Sequence, residues 1–545
     1  MGNLRFTRSV KHVISKTVFA AGSWLGASLL IGGCSHTVHN LTNSNNVLRY
    51  PLTVSPTTFD PALVQDGNTI DVLQNMYEGL VRWTPQNTLA PGLSDSWKVS
   101  KDGLTYTFHI RKGVTFQDGS SLTANDVAYS FKRSLSPQMR SPVAMDYMSD
   151  IAGAADYNSG KAADLAGVKV LNANTIAVRI TKPKAYWIDT LAYPTAYVVS
   201  KKEADAGELT DSQAELGAGT GPFRLSQYQK DSDVQLVANA QYWDGAPKIS
   251  GIDRPIIIDA NTRHSLFLSG KLDMVDEQMD ALAADSSNPQ VKNDIRTYPR
   301  ATTIYIGLNG AAFKPFADVR VRRAFAYATD KQRLRHVALK DVDDVAEDLL
   351  PTGMPGSDPS FKGIPYDPVK ARELLAQAGY PNGLNFPTVP IYHGQAHPEI
   401  TQIVDLLRVM WKDNLGVTVE PSMKEWGVFL HLENQNKLEC YTLGWSADYL
   451  DPQDFYSLLL RTGSPENHTL YSNPEVDALC DRADVEQNPA VRSALYRKVA
   501  RIAADDVPRI PLYYSRDIIL VNPRVKSLNE GLQGYLPHLH DFIVN

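Results

Sequence analysis

Between Leu104 and Leu135 the spacing of apolar residues changes from every second position to every third or fourth. Leu104, Tyr106, Phe108 and Ile110 alternate with polar neighbours, the two-residue period of a strand with one buried face. Arg111-Lys112-Gly113 supplies turn residues, Val114 and Phe116 resume the alternation, and Asp118-Gly119 closes the segment. A hairpin is therefore expected over Leu104–Phe116. Thr123-Ala-Asn-Asp126 then has the form of a capping box, where a hydroxyl and an acid satisfy backbone N–H groups that a first helical turn leaves open. It predicts an amphipathic helix through about Leu135. A chain patterned this way has to combine sheet and helix around shared cores.

The same mixture recurs downstream. Pro255–Ile258 is a continuous apolar run, Asn261–Leu268 is helical in pattern, and Leu272–Val275 is apolar again, which reads as strand, helix, strand buried under helices. Asp367-Pro368 offers an N-cap with proline at the first helical position, and Gly379 stops that helix. Ile400, Ile403, Val404, Leu407, Met410 and Trp411 form one helical stripe, read as core packing. The fold class expected is an α/β and α+β composite. The chain has 545 residues, 43% hydrophobic and 21% charged, enough for two or three domains with real cores. No repeat of solenoid length appears.

The N-terminus addresses location. Residues 1–16 carry Arg5, Arg8, Lys11 and Lys16 and no acid; an apolar run from Thr17 to Ile31 follows, and then Gly32-Gly33-Cys34. That is a secretory signal, too short for a permanent membrane span. Ile31-Gly32-Gly33-Cys34 resembles a bacterial lipobox, whose cysteine, here Cys34, becomes the lipid-modified first residue; a plain signal with an incidental cysteine is the alternative. Residues 34–46 are polar and read as a tether. Loss of residues 1–33 removes four positive charges and no negative one, so a formal −6 becomes −10 over 512 residues. No basic cluster marks a nucleic-acid surface. Cys440 and Cys480 remain and are expected to be free, with no Cys-based metal site.

Enzymatic signatures are missing: there is no P-loop, no Gly-x-Ser-x-Gly, no His-Glu-x-x-His and no Cys-x-x-Cys. Gly217-Ala-Gly219-Thr-Gly221 leads into the strand-like Pro222-Phe223-Arg224-Leu225, so it reads as a tight backbone turn, not a dinucleotide loop. His393 and His397 are four apart, but Gly394 and Pro398 argue against a shared helical face. No metal or cofactor is expected.

A series of phrases points to one family. They are Phe59-Asp60-Pro61, Asn75-Met-Tyr-Glu-Gly-Leu80, the segment Leu93–Arg133, Gly219-Thr-Gly-Pro-Phe223, Tyr242-Trp-Asp-Gly245, Asp318-Val-Arg-Val-Arg-Arg-Ala324, Tyr366-Asp-Pro-Val-Lys370 and Gly444-Trp-Ser-Ala-Asp-Tyr449. In order and spacing the chain resembles the bacterial extracellular solute-binding proteins of family 5, the oligopeptide- and dipeptide-binding lipoproteins of ABC importers, over about residues 47–520. The resemblance implies a bilobed periplasmic-binding-protein-like fold, with a ligand cleft between lobes and an extra inserted domain. It assigns 1–33 to the signal, 34–46 to the tether, 47–80 with 191–297 and 511–545 to lobe I, 81–190 to the inserted domain and 298–510 to lobe II. It also implies a monomer that holds the membrane only through its lipid, binds peptides and delivers them to ABC permease subunits.

In peptide-binding members the aspartate of the Gly444–Asp448 motif receives the ligand ammonium, which places Asp448 in that role. Trp445 would wall the pocket, Gly444 would admit a close backbone and Ser446 would lie beside the peptide main chain. Asp118 and Asp126 are architectural on this reading, and Asp451 before Pro452 is a turn residue. The stretch His431–Leu443 has Lys437 as its only lysine or arginine, so Lys314, His393 and His397 are the candidates for the ligand carboxylate. A non-peptide solute (an oligosaccharide stacked on Trp187, Trp243, Trp426 or Trp445, a nickel chelate or haem) is the second reading. A secreted hydrolase is the third, without a nameable nucleophile.

Overall fold

A computed structural model of the chain describes residues 46–207, 217–277, 279–394, 398–526, 528, 531–532 and 543–544. Three larger sheets organise them. The first runs Val47–Arg49, Gly251–Pro255, Asp233–Ala238, Phe223–Gln229, with its first pair parallel and the others antiparallel. Leu48, Ile252, Leu236 and Phe223 pack there with Val72, Leu73 and Tyr77 around the helix Gly67–Leu73. Gly219 and Gly221 serve a close approach more than a turn, for neither has a positive φ. The Gly221 N–H donates to the Met76 carbonyl at 2.9 Å, and a Cβ on Gly221 would stand 2.6 Å from the Met76 carbonyl carbon.

The second sheet is antiparallel throughout, in the order Ser94–Val99, Thr105–Ile110, Thr175–Arg179, Val168–Asn172. The expected alternation holds, for Tyr106, Phe108 and Ile110 are all buried. The expected hairpin does not. Thr105–Ile110 already has a strand on each edge, so no ladder is left for residues 114–116, which make only an isolated Thr115–Ser121 bridge. Val114 and Phe116 alternate because they are core residues on a loop. Thr123 caps the helix Ala124–Leu135 as expected, with Asp126 accepting the Thr123 N–H at 2.8 Å. Val127, Phe131 and Leu135, four apart, bury its inner face.

The third sheet has seven strands: Met274–Asp276, Arg509–Val521, Ile295–Leu308, Cys440–Ser446, Val389–Gly394 and Val419–Lys424 in order, with Asp344–Val345 paired to Arg509–Val521 off that path. The helices Val319–Tyr327, Pro368–Gln377 and Pro398–Leu415 supply Phe325, Leu375, Leu407 and Trp411 to one core against it. Gln453–Leu460, Pro474–Val485 and Pro489–Asp506 supply Phe455, Leu479 and Tyr496 to another. Asp367 caps Pro368–Gln377 and Gly379 follows it at φ +98°, as its sequence indicates. The run Pro255–Ile258 is not a strand: the ladder ends at Pro255 and Ile258 is 78% exposed. The chain leaves the sheet there because Asp259 must cap the helix Ala260–Leu268, accepting the Thr262 N–H at 2.8 Å.

Two long strands tie the bodies together. Ile295–Leu308 pairs with Arg509–Val521 over Ile295–Pro299 and again over Thr303–Gly307, with an irregularity between Pro299 and Thr303. Ile519 and Val521 belong to the core of the first sheet, whereas Ile306, Ile510, Leu512 and Tyr513 belong to a core of the second body. The ribbon thus passes from one lobe to the other, and the molecule is a bilobed α/β and α+β composite.

Candidate functional site

A cavity of about 400 Å³ opens between the lobes. Tyr77, Glu78, Arg82, Trp83 and Tyr193 line one side; Ser446, Ala447 and Asp448 line the other, and Arg300 joins them.

The second wall is built by the sheet. Thr302 stands opposite Ser446 and Ile304 opposite Gly444; the Ala447 N–H then donates to the Ala301 carbonyl at 2.8 Å before the chain leaves the ladder. The turn that follows is held by Asp454, next to the start of the helix Gln453–Leu460, whose side chain is fully buried. One of its oxygens accepts the Asp448 N–H at 3.0 Å and the Trp445 indole N–H at 3.2 Å. Asp451 closes the turn from below, accepting the Gln453 N–H at 2.8 Å and the Arg492 guanidinium at 2.6 Å. It is a turn residue, as expected, and half of a buried ion pair as well.

Asp448 therefore projects into the cavity from a fixed backbone. Desolvation in the wall raises its carboxyl well above the ordinary range, opposed by a hydrogen bond from the Tyr147 hydroxyl. The Tyr147 ring stacks on Tyr193, centroids 3.7 Å apart and planes 12° from parallel. Burial raises Asp454 well above the ordinary range too, and the neighbouring Asp448 charge adds to it. Two acids this close cannot both ionise cheaply, so the pair holds a proton more tightly than either acid would alone.

The first wall is also polar at its base. Glu78 accepts from Thr220 and Tyr242, each at 2.8 Å, and from the Trp243 indole at 2.9 Å. Burial raises its pKa and these donors pull it back. Arg82 donates to Asp244 at 2.8 Å and lies 5.4 Å from the Trp243 ring centroid, while its buried Nη1 has no hydrogen-bond partner among the described residues. Arg300 sits within the ladder irregularity, 3.4 Å from Asp517, with its side chain 13% exposed. The site thus offers two carboxyl groups, Asp448 and Glu78, and two guanidinium groups around a space of small-ligand size.

Of the residues singled out in the sequence, Asp448 and Ser446 line this cavity. Ser446 does so with its hydroxyl engaged to Thr302 at 2.8 Å. Gly444 and Trp445 are not on its lining: a Cβ at 444 would meet Ile304 Cδ1 at 2.6 Å, so that glycine serves strand packing, and Trp445 braces Asp454. Lys314 is exposed in the short 3-10 turn Lys314–Ala317, away from the lining. His393 is 2% exposed within the sheet; His397 and Cys34 lie outside the described residues. Among the tryptophans, Trp187 is fully buried, Trp426 stacks on Phe429 and Trp243 holds Glu78, while Trp83, which was not singled out, lines the cavity. Asp118 and Asp126 bind Ser120 and Thr123 and are architectural. Cys440 and Cys480 are free and buried.

Arg82, Arg300 and Tyr147 were not found by sequence reasoning. Tertiary folding alone brings them to the cavity and to Asp448, and no local pattern announces that.

Comparison with known proteins gives a consistent picture. Residues 88–467 match the family model described as bacterial extracellular solute-binding proteins, family 5 Middle. Heme-binding protein A of Haemophilus influenzae is 30% identical over 515 residues, covering 91% of this chain and 92% of that protein. Dipeptide-binding protein DppE of Bacillus subtilis is 27% identical over 541 residues, covering 96% and 98%. The solved structure of the binding protein DppA from Helicobacter pylori in complex with the peptide STSA superposes with a TM-score of 0.76 at 25% identity, covering 91% of this chain and 98% of that one.

Proposed function

Since the chain belongs to the bacterial extracellular solute-binding proteins of family 5, we propose that it captures short peptides in the interlobe cavity and delivers them to the permease of an ABC importer. The observation that carries this reading is Asp448, an acid held by a fixed turn at the wall of a cavity of about 400 Å³. A ligand ammonium entering that wall supplies the positive charge that desolvation makes costly to omit. Arg300 and Arg82 then provide the opposite charge for the peptide's carboxylate, in the place of Lys314, His393 or His397. A space of this size, bounded by both signs, fits a zwitterion of a few residues. The dipeptide-binding relative and the peptide-bound neighbour support the same ligand class.

The role is binding, with closure of the lobes over the ligand, and no chemical step is assigned to the site. Residues 1–34 support export and anchoring through a lipid on Cys34, which intact-mass analysis of the membrane-extracted protein tests directly.

A haem ligand is the second reading, favoured by the name of the Haemophilus relative. Among the described residues the lining has tyrosines but no histidine, cysteine or methionine to offer as an axial ligand.

Calorimetric titration with dipeptides to tetrapeptides, their N-acetylated forms, oligosaccharides and haem tests the proposal. Free peptides should bind with at least micromolar affinity. Saturable haem or sugar binding without any peptide binding would sink it.

A further inference from the structure

Away from the interlobe cavity, three side chains converge between the helix Ala260–Leu268 and the helix Met279–Ser287, which flank the strand Met274–Asp276. His264 Nδ1 is 2.7 Å from Glu277 Oε2 and 3.5 Å from Asp285 Oδ2, and the three groups' ligand atoms lie within 4.8 Å of one another. The two carboxylate side chains are only 3% and 5% exposed, the imidazole 23%.

The histidine leaves one buried oxygen of this cluster without a donor. Nδ1 carries one proton and spends it on Glu277, so the buried Asp285 Oδ2 makes no hydrogen bond among the described residues. A buried oxygen without a donor costs free energy, and a cation bound between the three groups removes that cost. We propose that His264, Glu277 and Asp285 form a divalent metal site whose preferred ion is Zn²⁺. One imidazole nitrogen and two carboxylate oxygens form a set that zinc takes at about 2.0–2.2 Å, with a fourth position for water. The partly exposed imidazole gives that water access. Ligand atoms around a tetrahedral zinc stand roughly 3.3–3.5 Å apart, the present Asp285–His264 spacing. The Glu277–His264 contact opens by ~0.6 Å to reach that spacing, a rotation of a side chain just past the end of a strand. The ion would pin the two helices across the strand and stabilise the first lobe without touching the ligand cavity.

Equilibrium dialysis of the full-length chain against Zn²⁺, with metal counted by mass spectrometry, tests the site. The expected result is one ion per chain at micromolar free zinc, with a melting temperature raised by ~2–3 °C at a hundredfold excess over Kd. Asp285→Asn and His264→Gln should each weaken binding by ~10–100-fold. His336→Gln, at the exposed His336–Asp341 pair, should change nothing. Co²⁺ bound to the unaltered chain should give the visible absorption of a four-coordinate site, a readout independent of any variant's folding. No zinc bound at micromolar concentration, stoichiometric binding undiminished in both cluster variants, or an octahedral cobalt spectrum overturns the proposal.

Discussion

The carboxylate of Asp454 accepts the backbone N–H of Asp448 at 3.0 Å, so two acids six residues apart are tied into one electrostatic unit. Desolvation raises both. Asparagine keeps an oxygen to accept that N–H and so holds the turn, and Asp454→Asn should keep peptide affinity within a few-fold. Asp448→Asn should lose ~1.5–3 kcal/mol, the contribution of a charge-assisted hydrogen bond. Titration calorimetry on both variants checks this, and N-acetylated peptides should be nearly indifferent to Asp448→Asn.

Peptide binding should weaken on acidification. The Asp448 carboxyl titrates above the ordinary range, so as pH falls below neutrality it takes up a proton and no longer pairs with the ligand ammonium. A fall of about tenfold or more in affinity is expected between pH 8 and pH 5. Affinity that stays flat over this range would count against the pair.

The other end of the peptide is tested by Arg300→Ala and Arg82→Ala. One of the two should weaken peptides with a free carboxylate by ~1–3 kcal/mol and C-terminally amidated ones far less. Equal losses for both forms would show that the arginines shape the cavity without reading the carboxylate.

Stability should rise when the solution is made mildly acidic. Burial pushes Glu433, 4% exposed, up to about 7, offset in part by the charge of His468. Burial also pushes Asp343, 3% exposed, up to about 7, against the Arg516 N–H that it accepts. Acids whose pKa is raised on folding bind protons more tightly in the native state. Their contribution is complete below about pH 4 and is lost as pH climbs through about 7. Guanidinium unfolding should report ~1–3 kcal/mol more stability at pH 5.5 than at pH 8, and Glu433→Gln should flatten that slope.

Gly219 admits no side chain, because a Cβ there would overlap the Met76 carbonyl. Gly219→Ala should cost about 3 kcal/mol by overpacking against backbone that cannot move aside. Gly113→Ala is the control, in open space but at φ +79°, and should cost nearer 1 kcal/mol.

Much of this was legible in the chain because it is local. The Thr123 capping box, the Asp367-Pro368 start and the stripe from Ile403 to Trp411 each depend on residues within one or two turns. The hairpin expected at Leu104–Phe116 failed because alternation reports which side chains are buried and is silent about which edge is taken. The site divides the same way. Asp448 and Ser446 came from a contiguous motif, but Tyr147, Arg82 and Arg300 reach them from 301, 366 and 148 residues away along the chain. The trio His264, Glu277 and Asp285 was equally hidden, since spacings of 13 and 8 match no single face of a helix or strand.

The ribbon of Ile295–Leu308 and Arg509–Val521 has a mechanical corollary. Between Pro299 and Thr303 its ladder is interrupted, so flexing there sacrifices fewer rungs than flexing the paired stretches on either side. It acts as a leaf spring with a built-in soft spot, and Arg300 is mounted on that spot. A charge that grips Arg300 therefore bears on the stretch of the ribbon with the fewest rungs, between the two halves.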